Sequence, residues 1–106
     1  MTMNGKAEMT YLLASMWDRN RPLMLERLAT LDQAADAALA HTLGGVLRED
    51  ALNIAHKLAG SLGMFGFPAG TDLARELELE LERTTIDADE IRSLTVRLRH
   101  TMFPEG

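Results

Sequence analysis

The chain has 106 residues, 46% of them hydrophobic and 25% charged, with a formal net charge of -5 and no cysteine. That is enough chain for one core and too little for two, and it rules out disulfide and thiolate-metal chemistry. The acidic balance, with Lys and Arg scattered among carboxylates, argues against non-specific nucleic-acid binding, which needs cations to neutralise phosphates. No apolar run could span a bilayer, and the first residues lack the charged start and apolar stretch of a signal peptide. A soluble, cytoplasmic, single-domain protein is the expectation, with no membrane or nucleic-acid partner.

Helix signals follow one another along the whole sequence. Met9, Leu12, Leu13, Met16 and Trp17 recur at helical spacing and predict a short first helix. Asn20 is placed to cap a second helix with Pro22 in its first turn. Its expected inner face is Leu25, Leu28, Leu31, Ala35, Ala38 and Leu39, ending at Gly44-Gly45. A third helix is predicted from about Leu47 to Phe65, with Leu47, Ala51, Ile54, Ala55, Leu58, Leu62 and Phe65 inward. Pro68 disfavours helical geometry at Phe67 and marks the break.

The fourth helix carries Leu73, Leu77 and Leu81. Its Glu76 to Glu82 run alternates like a strand, but Leu and Glu favour helix and no β-branched residue interrupts them. A capping box, Asp87 with Glu90 and the Ile86/Ile91 staple, opens the last helix, striped by Ile91, Leu94, Leu98 and Met102. The fold class is therefore all-α: an antiparallel four-helix bundle with an additional short N-terminal helix. Residues 7–102 form the expected domain, with 1–6 and 103–106 as flexible termini. A complete bundle of this kind should be stable as a monomer.

His56 lies in the middle of the third helix, off its apolar stripe. Gly60 and Gly63 follow at four and seven residues, on the same helix face. Each interior glycine costs about 1 kcal/mol relative to alanine, so two beside a histidine need a reason. Removing both Cβ atoms clears the surface around the imidazole for a large partner.

The segment from Ala55 to Gly66 resembles the signature helix of histidine-phosphotransfer (HPt) domains. That pattern places His, then Leu at two, Gly at four, a small residue at five, and Gly at seven and ten; here these are His56, Leu58, Gly60, Ser61, Gly63 and Gly66. Leu77-Glu78 matches the Leu-Glu pair of the next family helix without a gap. The resemblance implies a phosphoryl carrier in a His–Asp two-component phosphorelay. His56 would take the group from one receiver aspartate and pass it to another. The partners implied are response-regulator receiver domains or a hybrid histidine kinase, with Mg²⁺ held by the receiver and no cofactor on this chain. On the same footing Lys57 helps neutralise phosphate, Gly60 and Gly63 give access, and Ser61 anchors the helix. Leu52, Asn53 and Met64 are candidate docking residues.

Two positions depart from the family. Ala59 stands where a phosphate-holding lysine is usual, and Gly70 where a larger apolar residue is usual. The missing lysine favours an alternative reading: an HPt-like docking module that binds a receiver without phosphotransfer. No nucleotide-binding glycine loop, nucleophile–base pair or kinase ATP motif is present, so no autonomous enzyme activity is expected. His41 also has a glycine four residues on, but Val46, Arg48 and Ala51 break the rest of the pattern; it is read as a solvated histidine near a helix end. His100 is read as a surface residue complementing the last helix's dipole. Asp32, Asp36 and the glutamates from Glu76 to Glu82 are read as solvated faces.

Overall fold

The computed structural model describes residues 4–105, and among them the regular structure is entirely helical. Four helices follow in order: α1 (Gly5–Leu39), α2 (Gly45–Ser61), α3 (Pro68–Glu82) and α4 (Ala88–Met102). Each packs on the next, and α4 closes back on α1. The connections are short, so neighbours run antiparallel. No described helix is long and apolar enough to cross a membrane.

The two expected N-terminal helices are one. α1 runs for 35 residues through Pro22, even though Pro22 withdraws the N–H that the Asp18 carbonyl would accept. Asp18 is exposed, so water can take that place. Asn20 does not cap. Its side-chain amide donates back to Met16 O at 2.8 Å, while the true N-cap is Asn4, whose side chain accepts from Ala7 N at 2.8 Å. Tertiary packing supports a continuous helix across the join. Trp17 lies against Phe65, Phe67 and Phe103, with ring centroids 4.8–5.4 Å apart. Gly5 and Lys6 therefore lie in α1, and Phe103, 3% exposed, belongs to the core. Both were expected in loose termini. Asn4 caps α1, Pro104 and Glu105 form an exposed turn, and residues 1–3 and 106 fall outside the described residues.

The core is a ladder of leucines and alanines. Leu28, Leu58, Leu62, Leu77, Leu81 and Leu98 are wholly buried, each contributing on the order of 1.5–3 kcal/mol. Met24, Ala34 and Ala38 complete the inner face of α1, while Leu25 and Leu39, expected inward, are exposed. Leu47, Ile54 and Phe65 of the expected α2 stripe are only partly buried. The alternating Glu76 to Glu82 segment is helical, as its propensities require.

Two helix ends differ from expectation. Asp87 caps α4, accepting from Glu90 N at 3.1 Å. The Asp87 N–H donates not to Glu90 but to Glu80 Oε1 at 3.3 Å. Glu80 is buried and also meets Arg83 at 3.1 Å, so it ties the α3–α4 connection. The end of α1 is set before the glycines: His41 takes φ +58, His41 N donates to Ala38 O and Thr42 N to Ala37 O. That is a Schellman cap with histidine in the usual glycine place. Arg48 of α2 closes the far end of α3, donating to Leu81 O at 2.9 Å and Arg83 O at 2.7 Å.

Candidate functional site

On α2 the residues Ala51, Ala55 and Leu58 face the core, as does Leu62 at its C-cap, which turns His56 outward. Its side chain is 76% exposed. α3 approaches from one side, and Glu78 Oε2 lies 2.8 Å from His56 Nδ1. A carboxylate can only accept, so the imidazole donates from Nδ1. The hydrogen bond selects that tautomer and orients the ring. Nε2 then carries the lone pair, and it takes part in no hydrogen bond among the described residues.

Glu78 was not separated from its neighbours by sequence pattern. In the run Glu76 to Glu82 all four glutamates look alike, yet they divide: Glu80 is buried, Glu78 is 23% exposed on the histidine, and Glu76 and Glu82 are solvated. The expectation of one solvated face is corrected for Glu78 and Glu80. The Leu77-Glu78 pair was the available signal. Its meaning depends on the α2–α3 register, which no single-helix pattern contains.

The glycines have different jobs. A Cβ on Gly60 would meet nothing within 4 Å, so open space lies beside His56 there. A Cβ on Gly63 would come 3.4 Å from Thr71 Oγ1, so Gly63 also serves the approach of α3. Gly66, at φ +90, makes the turn after α2 in a conformation that favours glycine. Gly70 answers for its departure from the family. A Cβ there would stand 2.9 Å from Leu62 Cδ1, because Leu62 already fills the space a larger side chain would take.

The supporting residues are only partly where they were expected. Lys57 and Asn53 are exposed on the outer side of α2, and Met64 is 55% exposed beyond its end. Leu52, expected to be exposed, is half-buried against the core. Ser61 bonds its hydroxyl back to Lys57 O of its own helix at 3.0 Å. Ala59 is partly buried at the α2–α3 seam. Two turns past His56, Met64, Phe65 and Phe67 form one wall of a groove of about 430 Å³, with Thr10, Leu13 and Trp17 of α1 opposite.

Taken together, these residues offer an exposed, oriented nitrogen nucleophile on a stiff helix, beside cleared space and an apolar groove. The family model described as the Hpt domain matches residues 16–102. A stretch of 66 residues, 62% of this chain, is 35% identical to Protein RcaC of Microchaete diplosiphon. The match spans 10% of that protein's length. No solved structure gives a significant match.

Proposed function

The chain belongs to the Hpt domain family, and from that premise we propose that it carries a phosphoryl group on His56 Nε2 in a His–Asp phosphorelay. The observation that supports this most is the 2.8 Å contact of His56 Nδ1 with Glu78 on a ring left 76% exposed. It points the lone pair of Nε2 at the side from which a partner would come.

The donor on this reading is the aspartyl phosphate of a receiver domain, whether free-standing or part of a hybrid histidine kinase. Nε2 attacks phosphorus in line; the N–P bond forms as the P–O bond breaks, and its electron pair leaves on the receiver's carboxylate. The ring gains positive charge as this happens. Glu78, at Nδ1, stabilises that charge and shares the proton. The divalent ion needed to offset charge on the phosphoryl oxygens is the receiver's, and this chain supplies position and nucleophile. Reversal onto a second receiver completes the relay. Asn53, Met64 and the groove beside Trp17 are the docking surface, with Gly60 admitting the partner close to the ring. The bundle closes its core within one chain, which supports a monomer as the working form.

The test is transfer from phosphorylated receivers to the wild type and to His56→Gln. Acid-labile, alkali-stable label should appear on the wild type and vanish in the variant. Label lost in His41→Gln but kept in His56→Gln would overturn the assignment. Receiver binding without any label would favour the docking module, the reading that Ala59 at the usual lysine place suggests.

A further inference from the structure

Two contacts define how α2 and α3 lie against each other. His56 meets Glu78, and the position of a Cβ on Gly63 meets Thr71. Both fit one antiparallel register, and in that register Ala59 faces Arg75. Thr71, Arg75 and Glu78 also follow at i, i+4 and i+7, which places them along one face of α3. Arg75 is therefore bracketed by the two residues known to face α2, three residues and about 4.5 Å of axial rise from Glu78.

Arg75 is exposed, and it makes no ion pair or hydrogen bond among the described residues. That is notable for its position, since Asp72 and Glu78 both stand at i±3 spacing, where pairing is available. Lys57, the other cation near His56, lies about 100° round α2 from the histidine. It lies on the side of His56 away from Ala59, which turns toward the α2–α3 seam. So the cation missing from α2 at Ala59 has a counterpart directly across that seam.

Resting on the reading of His56 as phosphoacceptor, we propose that Arg75 is the phosphoryl-oxygen ligand of this site, supplied from α3 in place of a lysine at Ala59. A guanidinium presents two N–H donors in a plane that matches a phosphoryl group's oxygens. Standing one turn from Glu78, it would hold the group at Nε2 while Glu78 holds Nδ1. Lys57 would contribute charge from the opposite side.

The test uses phosphoramidate, a small donor that needs no receiver. Its P–N bond breaks as the N–P bond to Nε2 forms; ammonia leaves with the electron pair, and the ring releases its Nδ1 proton through Glu78 to solvent. Labelling of the full chain is followed by ³¹P NMR for wild type, Arg75→Ala, Arg75→Lys, and Arg75→Ala combined with Ala59→Lys. Arg75→Ala should slow labelling about tenfold, the loss of one charge-assisted contact to phosphate. Arg75→Lys should recover part of the rate. Ala59→Lys should rescue Arg75→Ala by restoring the cation from α2, an outcome no purely structural role for Arg75 would give. Equal rates for wild type and Arg75→Ala would overturn the proposal while leaving His56 as acceptor. A wild type that takes no label would overturn the His56 reading and this inference with it.

Discussion

Along the α1–α4 seam, arginines meet carboxylates. Arg99 bonds Asp32, Arg92 bonds Asp36, and Arg92 also lies 3.9 Å from Asp32. Along the α2–α3 seam the side-chain pair is a histidine with a glutamate, Arg48 donates only to backbone carbonyls at the far end, and Arg75 and Lys57 stay unpaired among the described residues. Both seams join antiparallel neighbours over a leucine core, but one pairs its cations with carboxylates and the other leaves those nearest His56 available. Structural pairing uses up charge, whereas a site for an incoming anion has to keep charge free. Of the α1–α4 aspartates, Asp36 is solvated as expected even while it meets Arg92, and Asp32 is half-buried between two arginines, whereas the α2–α3 seam relies more on apolar fit and close approach.

That difference is broken most forcibly where α2 and α3 come closest. Gly70→Leu would force a side chain into the volume that Leu62 occupies, and overpacking of this kind costs about 1–3 kcal/mol. Urea denaturation should show that loss. Leu62→Ala in the same chain should recover part of it, because the new leucine then fills the space vacated. If Gly70→Leu alone leaves the midpoint unchanged, the helices are not held apart by that contact, and the register set by His56 and Glu78 needs another cause.

The two polar seams should also separate in their readouts. Glu78→Gln keeps the shape of the side chain but removes the carboxylate that favours Nδ1–H and stabilises a positive ring. Transfer should fall roughly fivefold, the rate equivalent of about 1 kcal/mol for an exposed pair, with little change in melting temperature. Asp32→Ala should do the reverse. It leaves Arg92 and Arg99 short of a partner, and with all three side chains about a third exposed the cost is about 1 kcal/mol or less. Thermal melts at low and high salt should show this loss shrinking as salt screens the network, while transfer from a receiver is unchanged. A transfer defect in Asp32→Ala would mean that the α1–α4 seam is coupled to His56.

How much of this was legible in the sequence follows from where each signal resides. The helical periodicity, the Ala51, Ala55, Leu58 and Leu62 part of the α2 stripe and the glycine spacing around His56 are local patterns, and they read directly. The divide between α1's expected halves did not, because Asn20 and Pro22 carry a cap signature that packing of Trp17 on three phenylalanines overrides. The places of Glu78 and Arg75 beside the site were hidden for a different reason. Glu78 is one of four glutamates at alternate positions and Arg75 is the one arginine of α3, but only the register against α2 places either relative to His56. Leu62 and Gly70 show the same limit in the core, since the small residue makes sense only beside the large one across the seam.

His41 sharpens the contrast between a local pattern and its context, and its variant carries the smallest expected effect. Like His56 it has a glycine four residues on, but it does not sit within a helix. It occupies the left-handed position after α1 at φ +58, with its own N–H and that of Thr42 donating back to Ala38 and Ala37. A residue with a Cβ pays a steric cost there that glycine avoids. His41→Gly should therefore stabilise the fold by about 0.5 to 1 kcal/mol, net of the greater freedom glycine gives the unfolded chain. A melting temperature raised by a few degrees, with transfer to His56 intact, is the expected result. Loss of stability would mean that the imidazole contributes contacts outweighing the strain. Loss of transfer would mean that the histidine with the incomplete motif takes part after all.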